Sequence, residues 1–210
     1  SVDTLIVAKY DRFSRNLREA LNTIETLEKK YNIVILSVNE NIGLHPQSPY
    51  FFQMRTQILL GAEVEWRMIR DRTKFGVYSA NKAGRWVNAA PYGYTNARDE
   101  KNKPIILINE VKAAHVKEIF SLYNNGITAE AIRKQMLQKG FAKKGSSAIQ
   151  EIIKNPVYCG LIKVGAYYDE PEQLVKGIHE PIISEIDWWK AQSIINQKSK
   201  INGKLMLYIF

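Results

Sequence analysis

Cysteine is almost absent: Cys159 stands alone among 210 residues. One thiol closes no disulfide and provides no paired-thiolate zinc site within the chain. A reducing cytoplasm is the compartment that fits this usage. Long apolar runs are also missing, and no stretch approaches the roughly 20 residues of a membrane-spanning helix. The opening SVDTLIVAKY has no basic residue ahead of its apolar stretch, unlike a signal peptide. Proline does not occur between Tyr50 and Ala83, so nothing there breaks a helix by its ring. Acidic residues are short in supply, with 21 Asp and Glu against 30 Lys and Arg, a net charge of +9.

What is present suits a folded chain. Hydrophobic residues make up 45% and charged residues 24%, ample for a core and unlike a disordered segment. The length allows one or two domains. The positive balance favours a polyanionic partner, nucleic acid or an acidic membrane face, over a merely soluble basic protein. Residues 1–90 carry +4, residues 91–165 carry +6 and residues 166–210 carry −1. Phosphate contacts are therefore expected first in the middle of the chain.

Residues 3–9, DTLIVAK, read as a buried parallel strand. Leu17, Leu21, Ile24 and Leu27 recur at helical spacing over residues 15–30. Residues 33–38, IVILSV, make a second buried strand and complete a βαβ unit. A long helical pattern runs from about Tyr50 to Ala83, with Gly61 expected to divide it into two helices. Its second part has a basic face of Arg67, Arg70, Arg72, Lys74 and Lys82. Some 22 residues span about 33 Å, longer than a small sheet needs, which leaves two readings open: a helix that projects to a partner subunit or along a groove, or a solvated amphipathic helix. Gly84 fits a helix C-cap, and GRWVNAAPYGY marks a boundary.

Beyond it, NARDEKNKPIILINEV reads as a hairpin. Asn109, Thr128 and Ser146 or Ser147 are N-caps for three short helices, closed by Gly126, Gly140 and Pro156. The last two are joined by the basic turn GFAKKGSS, the layout of a helix-turn-helix whose final helix enters the major groove. PVYCGLIKVGAYY reads as a β pair. A helix from Ser184 is expected to bury Ile186, Trp189, Ile194 and Ile195, and KSKINGKLMLYIF fits no pattern well, reading as a short strand or an unnatural terminus.

Chemistry concentrates in KYDRFSRN, directly after the first strand, where α/β sheets place their ligands. Arg12 and Arg15, three apart at a helix start, can address one phosphate with help from the helix N-terminus. Asp11 can orient a guanidinium or move a proton. The plainer alternative is that Asp11 caps the helix while the arginines form surface ion pairs. Ser14 has no His or Lys placed by sequence to activate it and reads as a helix-start residue.

The stretch DTLIVAKYDRFSRN resembles the third strand and active-site turn of the serine recombinases, the resolvase/invertase family. AEVEWRMIRDRTKFG resembles the start of their long dimerisation helix. PYGY, NEVKAAHVKEIFSLYNNG, IRKQMLQKGF, IQEIIKNPVYCG and VKGIHEPIIS resemble, in order, the large serine recombinases, or serine integrases, of phages and conjugative elements. The fold implied is an α/β partial resolvase-like catalytic domain, a parallel sheet plus long helix, followed by a mainly helical α+β recombinase DNA-binding domain with a helix-turn-helix. The segments implied are 1–61, part of the catalytic domain; 62–86, the long helix; 87–165, the DNA-binding domain; and 166–210, the start of a following zinc-type domain.

The resemblance implies that Asp11, Arg12 and Arg15 are catalytic, the arginines holding the scissile phosphate while a serine forms a 5′-phosphoserine link. It implies no metal or other cofactor. It implies dimer and tetramer contacts through the helix bearing Glu65 and Asp71. It implies DNA contacts from Arg72, Arg85, Lys143, Lys144, Ser147, Gln150 and Lys154. The partners expected are double-stranded attachment sites and copies of the chain, with no membrane, on the cytoplasmic nucleoid of a bacterium. Two departures stand out: no Tyr-x-Arg-x-Ser nucleophile motif upstream of Asp11 and Arg12 and no paired zinc cysteines occur in these residues. The chain is therefore expected to bind DNA without cutting it, and zinc is not supported. The rivals are a non-catalytic DNA-binding remnant or regulator, and an oligomerisation module built on the long helix. His45, His115 and His179 read as loop, packed and turn residues rather than ligands, Cys159 as buried and inert, and Trp188 and Trp189 as core.

Overall fold

The computed structural model describes residues 2–14, 16–142 and 145–206, with side chains through Gln197. The chain divides into two compact units, Ser1–Phe75 and Gly76–Phe210.

In the first unit β1 (Thr4–Val7), α1 (Tyr10–Phe13), α2 (Leu17–Tyr31) and β2 (Val34–Ser37) precede α3 (Pro49–Lys82), which continues into the second. β1 and β2 pair in parallel, Thr4 opposite Val34 and Val7 opposite Ser37, with α2 as the crossover. The sheet has two strands among the described residues. That corrects the reading of β1 as buried: Leu5 is 37% and Ile6 65% exposed, because a two-stranded sheet covered on one face leaves β1 open. The core gathers instead around Tyr10, Ala20, Ile24, Ile35 and Leu59.

Gly61 does not divide the long helix, and α3 runs unbroken for 34 residues. A glycine inside a helix costs only about 1 kcal/mol against alanine, and Phe51, Arg55 and Leu59 bury one stripe ahead of it. Arg55 is fully enclosed. Its guanidinium donates to both carboxylate oxygens of Glu28, at 2.5 and 3.1 Å, tying α3 to α2.

In the second unit the last turn of α3 ends at Gly84, as its sequence predicts. Gly84 has φ +75°, and a Cβ there would stand 2.5 Å from the Lys176 carbonyl oxygen. The antiparallel pair β3 (Tyr94–Arg98) and β4 (Pro104–Ile108) follows. Then come α4 (Glu110–Asn124), α5 (Ala129–Gln138) and α6 (Ala148–Lys154). Asn109 and Thr128 cap α4 and α5 through Lys112 N–H and Ala131 N–H. A 3-10 turn over Pro156–Cys159 leads to β5 (Leu161–Val164), β6 (Gln173–Lys176) and α7 (Glu185–Met206).

Three local readings change here. PVYC is a 3-10 turn, and β5 pairs with β6 rather than with AYY, whose Tyr167 only bridges to Glu170 across a tight turn. Helix α7 buries Trp188 and Ala191, while Ile186 is 81% and Trp189 51% exposed. One step around the helix separates the two faces, and the core of α4 and α6 selects the former. The segment read as a short strand continues α7 through Met206, and residues 207–210 lie outside those described.

This unit has the larger core. Val116, Ile119 and Phe120 of α4 meet Ile132 and Met136 of α5, Ile149, Ile152 and Ile153 of α6, and Tyr158 of the 3-10 turn. Each fully buried aliphatic side chain contributes about 1.5–3 kcal/mol. Gln192 of α7 donates to the Ile153 carbonyl at 2.8 Å, which fixes the C-terminal end of α6.

Candidate active-site turn and nucleic-acid interface

The arginine turn starts where β1 ends. Tyr10 is buried, its hydroxyl donates to the Ile35 carbonyl at 3.4 Å, and burial raises its pKa. This anchors the one-turn helix α1. Asp11 and Arg12 ride on it with carboxylate and guanidinium 3.8 Å apart, the Arg12 side chain 68% exposed. The Asp11 Oδ1 is buried without a hydrogen-bond partner among the described residues. Arg15 lies outside the described residues.

Sequence spacing suggested one helix carrying Arg12 and Arg15 in its first turn. The structure instead breaks the chain at Ser14, whose backbone is extended, and starts α2 at Leu17. Asn16 is the cap, its side chain accepting the Glu19 N–H at 3.1 Å. Ser14 is therefore not the helix-start residue. Its hydroxyl accepts the Asn16 N–H at 3.2 Å and faces the Glu19 carboxylate at 3.4 Å. That carboxylate provides an acceptor for the hydroxyl.

On the part of α3 that belongs to the first unit, Glu65, Asp71 and Arg72 are exposed, and Arg70 stacks over Trp66 at 5.0 Å. Leu60, Val64, Met68 and Ile69 are between 46 and 54% exposed on the same stretch. In the second unit Arg85 is less free than its sequence suggested. Its guanidinium donates to Asp99 at 3.0 Å, with both side chains about three-quarters buried. The Lys103 amide, with help from Arg85 and the Lys101 amide, holds the Asp99 carboxyl below its ordinary value.

Helices α5 and α6 stand either side of a turn anchored by Phe141, which is buried edge-on against Tyr92 at 4.8 Å. Lys143 and Lys144 lie outside the described residues. Helix α6 buries Ala148, Ile149, Ile152 and Ile153 and exposes Ser147, Gln150, Glu151 and Lys154. Ser147 stands at the cap position but makes no capping bond, and its hydroxyl donates to Glu151 at 2.7 Å instead. Glu151 was missed in the sequence, although its spacing of four from Ser147 and three from Lys154 puts it on their face.

His115 and His179 serve packing, while exposed His45 accepts the Gln47 N–H at 3.3 Å in its loop. His115 shares a 2.7 Å hydrogen bond with the Tyr92 hydroxyl. His179 is buried rather than at a turn surface. Its Nε2 bonds the Val157 carbonyl at 2.7 Å, and burial lowers its pKa. Burial pushes the Cys159 thiol up to about 11. Among the described residues no cluster of His, Cys, Asp and Glu could hold a metal, and no helix is long and apolar enough to cross a membrane.

The resolvase N-terminal domain family matches residues 1–86, and the recombinase family matches residues 110–198. No curated protein matches the chain. One solved structure it resembles is the crystal structure of a large serine recombinase (LSR)–DNA complex, at 26% identity over 61% of this chain and 39% of that one, TM-score 0.48. Another comes from work on the sequence requirements of the Listeria innocua prophage attP site, at 27% identity over 60% of this chain and 51% of that one, TM-score 0.47. The chain thus spans about half the length of these proteins, or less. Residues 1–86 thus match a resolvase N-terminal domain and residues 110–198 a recombinase domain, one after the other in a single polypeptide, an order that supports the large serine recombinase family.

Proposed function

We propose that this chain binds attachment-site duplex DNA through residues 85–165 and carries part of a serine-type strand-exchange centre at Asp11, Arg12 and Arg15. The observation that carries the reading is the two-faced character of α6. Three buried isoleucines lock its underside, and Ser147, Gln150 and Lys154 stand on the exposed side. That arrangement suits a helix laid in the major groove, with Gln150 reading adenine, Lys154 a phosphate or guanine, and Glu151 accepting from a cytosine amino group. Lys143 and Lys144 add phosphate contacts at the preceding turn. Arg72 and Arg85 extend them along the backbone, Arg85 exchanging Asp99 for phosphate.

In the reaction proposed, a serine hydroxyl attacks the scissile phosphorus, a 5′-phosphoserine ester forms and the 3′-oxygen leaves as a hydroxyl. Arg12 and Arg15 stabilise the charge that grows on the phosphoryl oxygens, and Asp11 orients Arg12. No metal or nucleotide takes part. Ser14 is not assigned that role, because it lies between Arg12 and Arg15 and not in an element upstream of them. The serine of the family's Tyr-x-Arg-x-Ser element fills the role, so these 210 residues alone bind without cutting. Dimers and tetramers form through α3, with Glu65 and Asp71 beside its exposed Leu60, Val64, Met68 and Ile69.

The test is a gel-shift with labelled duplexes spanning the junctions of the encoding element, against scrambled duplexes, run with and without denaturant. A junction-specific shift that vanishes in denaturant is the expected result. Equal shifts of both duplexes overturn the site-specific reading, and a band that survives denaturant overturns the assignment of Ser14.

A further inference from the structure

The first backbone N–H groups of a helix have no partner within it and are usually met by water or by a cap from the preceding residue. At both helices of the arginine turn, the very first N–H is met instead by a carboxylate far along the chain, in α2 in addition to its Asn16 cap. The Tyr10 N–H, at the first position of α1, donates at 2.8 Å to the Glu40 carboxylate, thirty residues on. The Leu17 N–H, at the first position of α2, donates at 2.9 Å to the Glu63 carboxylate on α3, forty-six residues on.

Both carboxylates are themselves held. The Glu40 oxygen that takes the Tyr10 N–H also accepts the Ser37 hydroxyl at 2.5 Å, and the Glu40 N–H returns a bond to that hydroxyl at 3.2 Å. Ser37 ends β2, so this clamp is built on the sheet. The other Glu63 oxygen accepts Arg67 Nε at 2.9 Å, within α3. Residues 10–17, with Asp11 and Arg12 between the clamps, are thus gripped at each end by a distant carboxylate.

We propose that Glu40 and Glu63 are positioning residues for the arginine turn, Glu40 registering its start on the sheet and Glu63 registering its end on α3. The proposal rests on the reading of Arg12 as a phosphate ligand.

The test uses the 210-residue chain with Glu40→Ala, Glu40→Gln, Glu63→Ala, Glu63→Gln, Ser37→Ala and Arg12→Ala. Amide hydrogen exchange over residues 10–17 and the salt dependence of binding to a 40-base-pair duplex are read, with urea midpoints reporting folding. Each Glu→Ala change is expected to speed exchange of the segment at least tenfold and to flatten log K against log salt by about one unit, as Arg12→Ala does. Each Glu→Gln change rescues both, because its amide oxygen still accepts the N–H. Ser37→Ala, the milder change, speeds exchange by a smaller factor and covers the case in which Glu40→Ala does not fold. Glu→Ala variants that bind more tightly with unchanged exchange would show only a removed charge and overturn the proposal. An Arg12→Ala slope equal to that of the parent chain overturns the phosphate reading instead, and the exchange data then still decide the positioning roles.

Discussion

Burial around His179 separates its protonation in the folded chain from that in the unfolded chain. Its ordinary value is 6.5, and the folded value lies lower because a charged imidazole there has little solvent. The folded state thus binds fewer protons below that pH, so the stability of the second unit is full above about 6.5. It is lost as pH falls from there toward the depressed value, by at most about 1.4 kcal/mol per pH unit. Urea midpoints at pH 7.5 and 5.5 should show this fall, and His179→Gln should lessen it. Single residues were also where the sequence was least informative. The Asp-Arg turn is visible as a charged cluster after a strand, but Glu40 and Glu63 look like ordinary surface acids until folding brings them to Tyr10 and Leu17.

Helix α3 shows how an element outweighs a local signal. Gly61 faces solvent with ordinary helical geometry, and a Cβ there meets nothing within 4 Å. Gly61→Ala should therefore stabilise the first unit by about 0.5–1 kcal/mol, measured by urea unfolding. A loss of stability would mean that the helix bends there. The caps of α4 and α5 were legible because Asn109 and Thr128 act on amides three residues away. The partner of β5 was not, since pairing depends on where the chain returns after the turn at Tyr167. The buried side of α7 was misread for the same reason: Trp188 and Trp189 are neighbours, and only the core of α4 and α6 distinguishes them.

Across the whole chain, the charge is concentrated in residues 91–165, at +6, and near neutral after them. Binding to any duplex should weaken steeply with salt, and Lys143→Ala combined with Lys144→Ala should flatten that slope by about two units. An unchanged slope would remove the basic turn from the interface. The two-domain order was readable because each motif is a local run of residues. The open outer side of β1 was not, since exposure of a strand depends on what lies beside it. The buried Cys159 has a practical consequence. Its thiol is enclosed and stays protonated at neutral pH. A maleimide dye should therefore ignore it and label only a cysteine placed by mutation, for instance at exposed Gln150, so the native chain is ready for single-molecule fluorescence without removing any residue of its own.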